Sequence, residues 1–133
     1  MTDRPRQLIL AVVDDDRRVL ESLENLLGSA GHTVRTFPSA AALLESAILA
    51  DIDCLISDID LPKIDGFELL RLANAARPDL PVILITGHPE MAKRSALGGS
   101  RGYRLFRKPF DGEELLTAVS DAVRQPARGS SPL

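Results

Sequence analysis

Leu8–Leu27 reads LILAVVDDDRRVLESLENLL, and this stretch decides the fold. Leu8–Val13 is a continuous apolar run of strand length. An apolar run without alternation suits a strand covered on both faces. From Arg17 to Leu27 the pattern changes: Val19, Leu20, Leu23, Leu26 and Leu27 fall on one helical face. Between the two segments stand Asp14, Asp15 and Asp16, where strand gives way to helix.

The same alternation repeats outward. Gly28 and Gly31 end the first helix, and His32–Phe37 (HTVRTF) alternates like an edge strand. Ser39 is placed to cap a helix over Ala40–Leu49. Asp53–Ser57 is a third strand, followed by a helix over Phe67–Ala76 with Asp65 as its cap. Pro81–Ile85 is a fourth, wholly apolar strand, and Tyr103–Arg107 a weaker fifth. Between these two, Met91–Gly99 is a short helical segment cut by Gly98-Gly99. Asp111 and Glu114 have capping-box spacing before a last helix that buries Leu115, Leu116, Val119 and Val123. Strands alternating with helices in one short domain predict an α/β fold, a doubly wound parallel sheet with helices on both faces.

At 133 residues the chain has room for one domain. The pattern places it at 8–124, with an N-terminal extension (1–7) and a C-terminal tail or linker (125–133, QPARGSSPL). The 44% hydrophobic and 26% charged content excludes disorder or a coiled coil as the main state. A single cysteine, Cys54, excludes an intramolecular disulfide, and no Cys/His cluster offers a zinc site. No apolar run approaches the ~18 residues of a membrane span, and the opening MTDRPRQ lacks a signal peptide's apolar segment. The expectation is a cytoplasmic protein without membrane contact. A net charge of −3 argues against the domain itself gripping nucleic acid.

Ligands of open parallel sheets bind at the carboxyl ends of the strands. Those ends carry Asp14, Asp15 and Asp16 after the first strand, and Asp58 and Asp60 after the third. Thr86 then follows the fourth, and Lys108-Pro109 the fifth. Converging carboxylates repel one another unless a cation neutralises them. A hard divalent ion with oxygen ligands, most simply Mg2+, fits such a crevice. A carboxylate beside it can act as nucleophile toward a phosphoryl group. The Lys108 ammonium and the Thr86 hydroxyl can then bind the remaining phosphoryl oxygens.

Four motifs, in order, carry a family resemblance: VVDDD (Val12–Asp16), SDIDLPKIDG (Ser57–Gly66), LITG (Leu84–Gly87) and KPF (Lys108–Phe110). The chain resembles response-regulator receiver domains of two-component signalling over Leu8–Arg124, most of all those of nitrogen-fixation transcription regulators. The resemblance implies a flavodoxin-like five-stranded sheet of order 2-1-3-4-5. It implies Asp58 as phosphoacceptor, with Mg2+ (or Mn2+ in its place) held by Asp15, Asp58, the backbone carbonyl of Asp60 and, through water, Asp14. Thr86 becomes the switch hydroxyl, Lys108 the phosphate-pairing amine, and Pro109 follows a cis peptide. The implied partners are a sensor histidine kinase or phosphotransfer protein upstream and a protein or output domain downstream. The downstream contact, or a phosphorylation-dependent homodimer, would use the face formed by the fourth helix, fifth strand and last helix. Such a domain catalyses only its own phosphorylation and dephosphorylation.

Other readings compete at particular residues. Asp16 reads as a helix cap, and Cys54 as a small core residue. Asp60 and His88 read as solvated side chains or as groups tuning the site. Lys93, Arg94, Arg101, Arg104, Arg107 and Lys108 form an acid-free basic run, either a solvated face or a partner surface. Leu105 stands where receivers usually carry an aromatic switch ring, so the signal is expected to travel by reordering of Gly87–Gly102. For the whole chain, DxD after a strand also resembles haloacid-dehalogenase phosphatases, although there the further metal-binding acids follow the nucleophile. A pseudo-receiver acting as an unphosphorylated binding module is the third reading. No output domain follows Arg124, which fits either a stand-alone receiver or a piece of a longer regulator.

Overall fold

The switch from unbroken apolar runs to amphipathic segments produces alternating strands and helices in the computed structural model, which describes residues 7–88, 90 and 103–124. The order is β1 (Ile9–Val13), α1 (Arg17–Ser29), β2 (Thr33–Phe37), α2 (Ala40–Glu45), a 3-10 turn (Ile48–Ala50) and β3 (Cys54–Asp58). There follow α3 (Gly66–Ala76), β4 (Val82–Thr86), β5 (Tyr103–Arg107) and α4 (Gly112–Arg124). Among the described residues the strands form one five-stranded sheet of order β2-β1-β3-β4-β5, parallel throughout. The expected helix over Met91–Gly99, the basic residues Lys93, Arg94 and Arg101, and the 125–133 tail lie outside the described residues.

Successive side chains of a strand point to opposite faces, and the core divides accordingly. Ala11, Val13, Leu55, Val82 and Leu84 pack with Ala40 and Leu43 of α2 and Leu69, Leu70 and Ala73 of α3. Leu10, Val12, Cys54, Ile56, Ile83 and Ile85 pack with Leu20, Leu23 and Leu27 of α1 and Leu115, Ala118 and Val119 of α4. The sheet is therefore covered on both faces, and β3 and β4 are buried along their whole length. Each fully buried Leu or Ile contributes about 1.5–3 kcal/mol relative to exposure.

Local chemistry sets the helix ends. Asp16, Ser39 and Asp65 accept hydrogen bonds from Arg18 N, Ala42 N and Glu68 N and so start α1, α2 and α3. The Asp111 carboxylate accepts from Glu113 N, one residue earlier than capping-box spacing predicts. A second correction concerns α2, which stops at Glu45 instead of running to Leu49. The Ser46 hydroxyl donates to the Leu43 carbonyl, and Ala47 turns left-handed at φ 60°.

Candidate functional site

β1 and β3 are neighbours in the sheet, with Val13 opposite Ser57. The residues that follow these partners, Asp14 and Asp58, therefore leave the sheet side by side. β4 lies against β3 with Ile85 opposite Asp58, and β5 against β4 with Arg107 opposite Thr86. Register alone thus gathers Asp14, Asp15, Asp58, Thr86 and Lys108 at one edge. Oxygen atoms of Asp14, Asp15 and Asp58 lie within 4.8 Å of one another. Asp14 and Asp58 are buried and Asp15 is exposed, so the cluster opens toward solvent on the Asp15 side.

The Lys108 ammonium reaches over both buried acids, 3.4 Å from Asp14 Oδ2 and 3.7 Å from Asp58 Oδ2. Burial raises the carboxyl pKa of Asp14 above its ordinary value, against the lowering pull of its bond to Asp16 N–H and of Lys108. Asp58 is raised too, first by burial and then by the charge of Asp14, with Lys108 opposing. A single ammonium leaves this pair under-compensated. The Asp14, Asp15 and Asp58 cluster is compatible with a hard cation that offsets this deficit.

Thr86 is fully buried, and its hydroxyl oxygen accepts from His88 N at 3.0 Å. Lys108 N donates to the Thr86 carbonyl at 2.7 Å, tying the two strand ends together, and the Lys108–Pro109 peptide is cis. Asp58 Oδ1 faces Asp60 N at 3.4 Å. The Ser57 hydroxyl donates to the Asp58 carbonyl at 2.9 Å. Leu105 lies opposite Leu84 and packs toward the α2/α3 core, while Phe106 packs on the other face. Tyr103 shares the Leu105 face and meets Phe67 of α3 edge-on, with ring centroids 6.4 Å apart.

One contact escaped the reading of the residues. His88 Nε2 sits 2.8 Å from Asp60 Oδ2, so these two half-exposed side chains are paired with each other as well as solvated. Each stands two positions beyond a strand-end residue, Thr86 and Asp58, on adjacent parallel strands. That shared offset was the available signal.

An apolar groove of about 510 Å³ lies at the opposite end of the strands, lined by Leu8, His32, Leu116 and Arg124 among others. Its described lining contains no carboxylate, so the acidic edge remains the candidate site. No described helix is long and apolar enough to cross a membrane.

Comparison with known proteins agrees with this geometry. The sequence signature of the response regulator receiver domain matches residues 10–120. The transcriptional regulatory protein FixJ of Azorhizobium caulinodans is 36% identical over 126 residues, which is 92% of this chain and 58% of FixJ. The chain therefore spans little more than half the length of that relative. A response regulator receiver protein from Sinorhizobium medicae superposes with a TM-score of 0.80 at 30% identity, covering 90% of this chain and 97% of that one. The BeF3-activated DrrB receiver domain superposes with a TM-score of 0.77 at 28% identity, covering 90% of this chain and 100% of that one. These matches do not favour the haloacid-dehalogenase reading. Sheet order, acidic edge and sequence signature together show that the chain belongs to the response regulator receiver domain family.

Proposed function

We propose that Asp58 accepts a phosphoryl group from the phosphohistidine of a sensor kinase or phosphotransfer protein. One observation carries this reading: Asp58 is buried beside Asp14, and the Lys108 ammonium reaches over both, 3.7 Å from Asp58 Oδ2. In the transfer, a carboxylate oxygen of Asp58 forms a bond to phosphorus as the phosphorus–nitrogen bond breaks. The departing imidazole keeps that electron pair and takes a proton, and Asp58 becomes an acyl phosphate. Lys108 holds one phosphoryl oxygen, and the Thr86 hydroxyl turns its donated bond from the His88 carbonyl to another.

Asp15, Asp58 and the Asp60 carbonyl would hold Mg2+, or Mn2+ in its place, with Asp14 acting through water. When bound, the ion neutralises the converging carboxylates and draws a phosphoryl oxygen into the site. The new contacts of Lys108 and Thr86 shift the domain between two states. A downstream protein, an output domain or a second copy would read that state on the side of β5 and α4, where Arg104 and Arg107 are exposed. The domain promotes its own phosphorylation and dephosphorylation without turning over a separate substrate.

Incubation with a small-molecule phosphodonor and Mg2+ should add one base-labile phosphate, read by intact mass. Asp58→Asn and EDTA should each abolish it. Full labelling of Asp58→Asn would overturn the assignment, and a wild-type protein that ignores Mg2+ would favour the unphosphorylated binding module.

A further inference from the structure

The backbone of Asp58 and Ile59 is approached so closely by α3 that no side chain fits between them. A Cβ on Gly66 would stand 2.5 Å from the Ile59 Cα and 2.6 Å from the Asp58 carbonyl oxygen, with Ile59 N at 3.1 Å. All three are backbone atoms, so no flexible side-chain tip can move aside. Non-bonded carbons prefer roughly 3.5–4.0 Å, so a methyl group there displaces main chain. The demand is for space, since Gly66 has no left-handed φ.

Hydrogen bonds show what that approach controls. Gly66 N and Leu61 N both donate to the Ile59 carbonyl, each at 2.9 Å. The 60–65 loop thus leaves from and returns to a single oxygen. Ile59 N donates to the Ile85 carbonyl at 2.9 Å, which fixes this anchor to β4. Within the loop lie the Asp60 backbone, which faces the Asp58 carboxylate, and Lys63, held at φ 66°. Moving Gly66 away from Ile59 therefore opens the loop at its root and carries Asp60 with it.

We propose that Gly66 is a positioning residue for the acceptor site, its missing side chain setting where the Asp58–Asp60 backbone lies. The functional part of this inference rests on the reading of Asp58 as acceptor. Displacements of this size cost on the order of 10²-fold in rate at a site that depends on alignment.

The test compares Gly66→Ala with Leu27→Ala, which hollows the opposite core beneath α1. Readouts are thermal unfolding, amide NMR shifts, Mg2+ affinity and the rate of labelling by phosphoramidate. In folded Gly66→Ala, the amides of Asp58, Ile59, Asp60 and Leu61 should shift and Mg2+ affinity should fall about tenfold or more. Leu27→Ala should lose stability yet keep wild-type affinity and rate. Unshifted Asp58–Leu61 amides in Gly66→Ala, or an equal loss of affinity in Leu27→Ala, would overturn the proposal.

Should Gly66→Ala not fold, Asp65→Ala loosens the same helical turn by removing its cap, without adding bulk. It should shift the same amides and weaken Mg2+ binding several-fold; unmoved amides would count against Gly66. If the wild-type protein takes up neither Mg2+ nor phosphate, the preceding reading falls, while the amide shifts still decide whether Gly66 sets this backbone.

Discussion

The two ends of the sheet treat polar side chains in opposite ways. At the ends where the strands begin, polar groups meet backbone partners. Asp53 accepts from Ile9 N at 2.8 Å, and His32 Nδ1 accepts from Leu8 N at 3.2 Å. Arg77 donates to the carbonyls of Leu49 and Ile52 at 2.7 and 2.6 Å. Where the strands finish, Asp14 and Asp58 are buried against each other with Lys108 between them. One end satisfies its polar groups and contributes to stability. The other keeps a repulsion between buried carboxylates that a cation can relieve, so the acidic edge is held at a cost in stability.

The largest effect expected from this contrast is at the satisfied end. Arg77→Ala leaves two carbonyls without their charged donor and should lower stability by about 2–3 kcal/mol in urea unfolding. Mg2+ affinity should stay at the wild-type value. A loss of affinity would mean that the two ends are coupled.

At the acidic end the sign reverses. Asp58 has a raised pKa in the folded state, so the native protein binds its proton more tightly than the unfolded chain does. Stability from this group therefore falls as pH rises from the unfolded value near 3.8 through the raised folded value. Asp58→Asn removes that loss and should raise Tm by a few degrees at neutral pH without Mg2+. The gain should vanish as pH drops toward the ordinary carboxylate range. A Tm lowered at neutral pH would show that Lys108 outweighs burial and the Asp14 charge.

The smallest effect concerns the Asp60–His88 pair, which bridges the loops after β3 and β4. Both partners are about half exposed, so His88→Ala should change stability by less than about 0.5 kcal/mol. If Asp58 is the acceptor and the imidazole screens it from water, this variant should shorten the lifetime of the phosphorylated form several-fold. An unchanged lifetime would make the pair a surface contact only.

How far the sequence revealed these features depends on the range of the interactions behind them. Leu8–Val13 and Pro81–Ile85 announced buried strands, and the observed bounds differ by a residue at each end of the latter. The acids, Thr86 and Lys108 were legible because strand ends of a parallel sheet share one edge. The end of α2 was not: Ala40–Leu49 is rich in helix formers, and nothing in an alanine foretells the left-handed turn at Ala47. The Asp60–His88 contact and the Arg77 bridge join residues far apart in the chain, so they emerge only once register and loop paths are set. Gly66 was visible as part of a motif, but its reason, contact with the Ile59 backbone, belongs to three-dimensional packing.

Cys54 has no exposed surface, and burial pushes its thiol pKa up to about 12. Since only the thiolate reacts readily, alkylating and disulfide-forming probes should pass it by while the fold is intact. It is also the chain's sole cysteine. A second one placed on the surface, beside the 60–65 loop or on α4, would therefore take a fluorophore or spin label alone. The native protein is in this sense already prepared for site-directed spectroscopy, and late reactivity of Cys54 itself would give a clock for opening of the core.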